Sequence, residues 1–258
     1  MMTQRPVDRL ILKLAIPTII SMTITAMYNL ADSYFVGHLS THATAGVGIA
    51  FAYQSFIQAI GFFFGSGSGN YISRALGAKK EQNAEKMAST GFFSALLAGI
   101  AIGLTGLIFI KPLATLLGAT PDIESYAIDY LKYLLIAAPF MISQMVLNNQ
   151  LRLQGNASQA MIGLVSGAII NIILDPIFIY ILGLGVSGAA IATLVSQIIS
   201  WSILLIVTTF KGNVHIKIKN ISYNIYFNPL LFILFINYFL VIVLLVILKI
   251  WEGLISDL

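Results

Sequence analysis

Leu14-Ala15-Ile16-Pro17-Thr18-Ile19-Ile20-Ser21-Met22-Thr23-Ile24-Thr25-Ala26-Met27-Tyr28-Asn29-Leu30-Ala31-Asp32-Ser33-Tyr34-Phe35-Val36 holds one charged side chain in 23 residues. A helix needs about 20 predominantly apolar residues to cross the hydrocarbon core of a bilayer, so this stretch is long and apolar enough to span. Asp32 is the exception inside it. An ionised carboxylate within a membrane costs several kcal/mol and is normally retained for a task.

The same reading extends along the chain. Further apolar stretches of spanning length fall at 48–72, 88–110, 126–147, 160–182 and 187–209, with another at 229–250. Of 258 residues, 58% are hydrophobic and 9% charged, and the mean hydropathy is +0.91. Soluble domains carry about 25% charged residues. The expectation is an all-α, polytopic membrane bundle of six helices over 1–211. A basic linker and one more apolar helix would follow over 212–258. The N-terminal residues run directly into the first helix and do not read as a cleavable leader.

Lys and Arg placement sets an expected orientation. Eleven of the 14 basic residues fall in the N-terminal arm, the second–third and fourth–fifth connections, and the segment after the sixth span. The alternate connections hold only Lys111. The N-terminus is therefore expected on the cytoplasmic side of the plasma (inner) membrane. A net charge of +4, taken alone, is compatible with a nucleic-acid partner. These charges form short clusters between apolar runs, with no basic stripe, so no nucleic-acid partner is expected. The chain has no cysteine. Disulfides and thiolate chemistry are excluded.

A second acid, Asp175, sits in Asn171-Ile172-Ile173-Leu174-Asp175-Pro176. Asn171 and Asp175, four apart, share a helix face, as do Asn29 and Asp32, three apart. Such a pair can load a proton or hold a small cation through oxygen. Asp-Pro also commonly ends a helix, so Asp175 taken alone has a structural reading. Tyr130 and Thr193 taken singly read as locally satisfied, since a helical Thr often bonds back to its own helix. Pro17 removes a backbone hydrogen bond and should kink or hinge its helix. Gly65-Ser66-Gly67-Ser68-Gly69-Asn70 resembles a phosphate loop, but it follows a helix and no Gly-Lys-Ser/Thr comes after it. Close packing of small residues is the better reading there, and for Gly163 to Gly167. His38, His42 and His215 have no evident partner ligands, and no metal site or cofactor is expected.

Several separated segments resemble one family. Ala15-Ile16-Pro17-Thr18, Tyr28 to Asp32, and Phe35-Val36-Gly37-His38-Leu39 are similar to the opening signature of the multidrug and toxic compound extrusion (MATE) antiporters. So are Ile72-Ser73-Arg74-Ala75-Leu76-Gly77-Ala78, Leu151-Arg152-Leu153-Gln154-Gly155-Asn156, and Asn171 to Pro176. The resemblance covers about residues 8–211. It implies the N-terminal lobe of a two-lobe transporter, with a cation site built from the first, fourth, fifth and sixth spans. Asp32, Asn171 and Asp175 fall on its acidic and amide positions, Tyr130 and Thr193 on its hydroxyl positions, and Pro17 on its bending position. The implied activity is efflux of organic cations, not enzymic, coupled to H⁺ or Na⁺.

The family's second six-helix lobe has no counterpart after Lys211. A partner would then be a second lobe or a second copy, and a non-transporting remnant is the alternative. A flippase for lipid-linked saccharides is another, whose cavity is expected to be more basic. An intramembrane aspartyl enzyme is rejected, because Ile172-Ile173-Leu174 stands where its Gly-x-Gly would precede Asp175.

Overall fold

A computed structural model describes residues 7–222 of the chain. The described residues form α1 (Val7–Gly37), α2 (Thr41–Gly77), α3 (Glu81–Ile108), a short α4 (Ile110–Leu116), α5 (Glu124–Leu153), α6 (Ala157–Pro176) and α7 (Gly185–Lys211). A π-helical turn, Ile177–Ile181, continues α6, and a 3₁₀ turn spans Ile218–Asn220. There is no β-strand among the described residues. Among the described residues, six helices are long and apolar enough to cross a membrane: Leu14–Gly37, Thr41–Gly77, Glu81–Ile108, Glu124–Leu153, Ala157–Ile181 and Gly185–Lys211. These coincide with the six expected spans. The apolar run at 229–250 lies outside the described residues.

The bundle is arranged around α5, whose most apolar stretch is 67% buried against 17% for that of α1. Helices α2, α3 and α7 pack on α5, while α1 lies at an edge and rests mainly on α6. Glycine sets the closest approach. Gly61, Gly65 and Gly69 form one stripe on α2, and a Cβ on each would fall 2.6–2.8 Å from Met145, Asn149 or Leu153 of α5. Along α5 toward its N-terminus, a Cβ on Gly99 of α3 would stand 2.5 Å from the Pro139 Cα. Small residues let two backbones meet where lipid gives no hydrophobic drive to associate. The glycine-rich segment 65–70 is thus part of a continuous helix, not a loop.

Two local departures from the expected boundaries have physical causes. Helix α2 begins at Thr41 rather than near 48, because the Ser40 hydroxyl accepts the Ala43 N–H at 3.0 Å and caps it. Asp175-Pro176 does not end its helix. Pro176 has no N–H to give, and the backbone widens into i→i−5 bonding, with the Leu182 N–H reaching the Ile177 carbonyl at 2.9 Å. Gly183 and Gly185, at φ +66° and +57°, then supply the left-handed backbone that reverses the chain into α7.

After Lys211 the chain folds back onto one end of the bundle. The Asn213 N–H donates to Gln154 Oε1 at 3.0 Å, and the Lys217 N–H donates to the buried Ser89 hydroxyl at 3.0 Å. Asn220 Nδ2 reaches Glu85 Oε2 at 3.1 Å, and Val214 is buried beneath.

Candidate functional site

Four helices bring the singled-out polar residues into one buried network. Asp32 projects from α1, Tyr130 from α5, Asn171 and Asp175 from α6, and Thr193 from α7. Asp32 is 2% exposed and Asp175 fully buried. The Tyr130 hydroxyl donates to Asp32 Oδ2 at 2.9 Å. Asn171 Nδ2 donates to Asp175 Oδ1 at 3.3 Å and to Thr193 Oγ1 at 3.4 Å. The first of these bonds ties α5 to α1, and the other two tie α6 to itself and to α7, with Thr193 close to Tyr130.

Among the described residues, neither aspartate is paired with a cationic side chain. The partner of Asp32 is a phenol and that of Asp175 an amide. Asp32 Oδ1, Asp175 Oδ2 and Asn171 Oδ1 are buried without a hydrogen-bond partner. The two carboxyl groups are close enough to interact electrostatically. Unsatisfied buried oxygen is costly, and two carboxylates carrying it are relieved by taking up a proton or by sharing a small hard cation. No group of three or more His, Asp or Glu side chains with metal-site geometry exists among the described residues.

Beside this network lies a cavity of about 370 Å³ between α1, α2, α5, α6 and α7. Met22, Met141, Met145, Met161 and Phe62 give it apolar walls; Gln54, Gln58, Gln144, Asn148 and Gln197 give it carboxamides. Asn29, Tyr28 and Asn171 form the wall nearest the acids. Asp32 and Asp175 do not line it. Its charged wall residue is Arg152, at the end of α5.

The structure joins Asp32, Tyr130, Asn171, Asp175 and Thr193, all five expected positions. The local readings of Tyr130 and Thr193 give way, because each bonds across helices rather than to its own backbone. Pro17 lies apart, 15 residues from Asp32 along α1, roughly 22 Å of helix. Helix α1 runs unbroken through it. Its neighbours Thr18 and Ser21 bond back to the Leu14 and Pro17 carbonyls at 2.8 Å each, and both line the cavity. Asn29 shares a wall with Tyr28 instead of bonding Asp32.

Two residues escaped the sequence reading. Gln54 Nε2 of α2 donates to the Tyr28 hydroxyl at 2.9 Å, and Tyr28 lies within electrostatic reach of both aspartates. The signal for Tyr28 was its position one turn before Asp32. Gln54 gave none, since nothing local says which helix it faces.

Comparison with known proteins gives one consistent picture. A family profile described as MatE matches residues 17–177. The multidrug export protein MepA of Staphylococcus haemolyticus is 33% identical over 212 residues, covering 82% of this chain and 46% of its own length. A crystal structure of a MATE protein in the bent conformation superposes with a TM-score of 0.77 at 35% identity, covering 83% of this chain and 48% of that one. A transporter of the MOP superfamily from Pyrococcus furiosus matches with the same TM-score, identity and coverage; its description states that reverse polarity of its binding pocket suggests a different function. The chain spans about half the length of the relatives it matches.

Proposed function

Given that this chain belongs to the MatE family, we propose that it is the cation-coupling N-terminal lobe of a multidrug efflux antiporter, seated in the plasma membrane with its N-terminus in the cytoplasm. The observation that carries the reading is the buried network of Asp32, Tyr130, Thr193, Asn171 and Asp175 beside a mixed apolar and carboxamide cavity. Charge uptake at two membrane-buried carboxylates changes the hydrogen bonding of four helices at once. Helix α1, the least enclosed of the described spans and weakened at Pro17, is the element free to respond. A coupling ion drives such a change only by its different affinity for the two conformations. The ion is H⁺ or Na⁺, the cargo an organic cation, and a second lobe or second copy supplies the facing wall.

Dye efflux from proteoliposomes, under imposed proton or sodium gradients, tests this with the full chain and with Asp32→Asn and Asp175→Asn. Gradient-driven efflux lost in both variants is the expected result for an active antiporter. A folded chain that moves no dye, but is thermally stabilised by one of the ions only when both aspartates are present, is a coupling lobe awaiting its partner. Absence of any ion dependence in efflux and in stability rejects the proposal.

One observation favours a second reading. The cavity wall carries Arg152 and no carboxylate, which suits an amphiphile with an anionic head, as a lipid flippase would take. Binding of an anionic amphiphile in preference to a cationic dye, abolished by Arg152→Gln, distinguishes it.

A further inference from the structure

The segment after α7 creates a charged edge that the transport reading does not use. The Lys217 N–H bond to Ser89 and the Asn220 bond to Glu85 pin residues 217–220 against the first turns of α3. That helix starts at Glu81, just after Lys79 and Lys80, and carries Lys86 in its second turn. Five lysines, Lys79, Lys80, Lys86, Lys217 and Lys219, are thus gathered from two distant parts of the sequence. The acids among them are Glu81 and Glu85, and Glu85 is engaged by Asn220. Lys79, Lys80, Lys217 and Lys219 are exposed. Between the last two stands Ile218, 72% exposed on a 3₁₀ turn. An apolar side chain presented to the outside between two lysines suits a surface that is charged at one depth and oily just beneath.

We propose that this edge binds the headgroups of anionic phospholipids in the surrounding leaflet, with Ile218 entering the acyl boundary and the lysines holding phosphate. Basic residues beside a bilayer are drawn to anionic lipid, and each contributes a factor of about five in affinity. The arrangement is built rather than incidental, because the turn is held by backbone and asparagine bonds. The lysine side chains contribute none of these bonds and remain available to a ligand.

The test is retention of phosphatidylglycerol against phosphatidylcholine by the purified full chain in detergent, read by native mass spectrometry. The wild type is expected to retain the anionic lipid preferentially, and the preference should fall as NaCl rises. Lys217→Gln with Lys219→Gln should lower that preference about 25-fold, from two such factors, with an unchanged Tm in phosphatidylcholine. Lys132→Gln, an exposed lysine within α5, should leave it intact. The single variant Lys219→Gln serves if the double variant folds poorly, with about a five-fold loss. Equal retention of both lipids by the wild type overturns the proposal. So does an undiminished preference in the lysine variants, or displacement of the lipid by millimolar inorganic phosphate.

Discussion

Tyr130 contributes a single hydroxyl to the network, yet it connects α5 to the carboxylate on α1. A hydrogen bond to a charged group is worth about 1.5–3 kcal/mol. Tyr130→Phe should therefore leave the chain folded and lower the ion concentration at half-maximal thermal stabilisation about ten-fold or more, because the carboxylate loses the donor that stabilises it without the ion. Thr193→Val removes the hydroxyl that accepts from Asn171 while keeping its volume, and the same titration should show a changed half-maximal concentration. A Thr193→Ser variant, which keeps the hydroxyl, should restore most of the response. The two acids were legible in the sequence because a carboxylate in an apolar run is energetically conspicuous. Tyr130 and Thr193 were legible only through family resemblance. A lone hydroxyl in a helix satisfies itself as easily as it reaches a neighbour. Gln54 was not legible at all, because its meaning depends on Tyr28 of another helix.

The glycines facing α5 make a prediction at the level of the element. Gly99→Ala would place a methyl 2.5 Å from the Pro139 Cα. Backbone cannot rotate aside as a side chain can, so α3 and α5 must separate. Overpacking of this kind costs about 1–3 kcal/mol, and the variant should show a lower Tm and a poorer monodisperse yield in detergent. Gly48→Ala, whose Cβ would meet nothing within 4 Å, is the matched control and should be neutral. For α1, Pro17→Ala restores the missing backbone donor and should stiffen the helix. With no native cysteine in the chain, a spin-label pair at Ile19→Cys on α1 and Ser55→Cys on α2 can report it. The distance distribution should narrow in the alanine variant and lose its dependence on the coupling ion. Persistence of the ion-dependent change would remove Pro17 from the hinge role. The spans themselves were legible from length and hydropathy. Their ends were less so, since Ser40 lengthens α2 and Pro176 widens α6 instead of stopping it.

For the whole molecule, the sequence indicated six spans but not their neighbours. That α1 rests on α6 rather than on α2, next in sequence, follows from the side-chain fit of distant segments. This pairing is what brings Asp32 beside Asp175. The Gly65–Asn70 segment illustrates the converse, because its small residues announced close packing before the partner helix was known. The shape of the bundle also divides it mechanically. Helix α5 packs against glycine-lined faces of α2 and α3, and on the α3 side Gly99 and Gly103 bring the two backbones into contact where no rotamer can yield. Those three helices form a stator. Any rocking must be borne by the arm outside it, α1 with its support on α6, just as a lever needs a fixed post. Side-chain volume can therefore drift on the outer face of α1 at little consequence, while the α3–α5 seam has almost no freedom to vary.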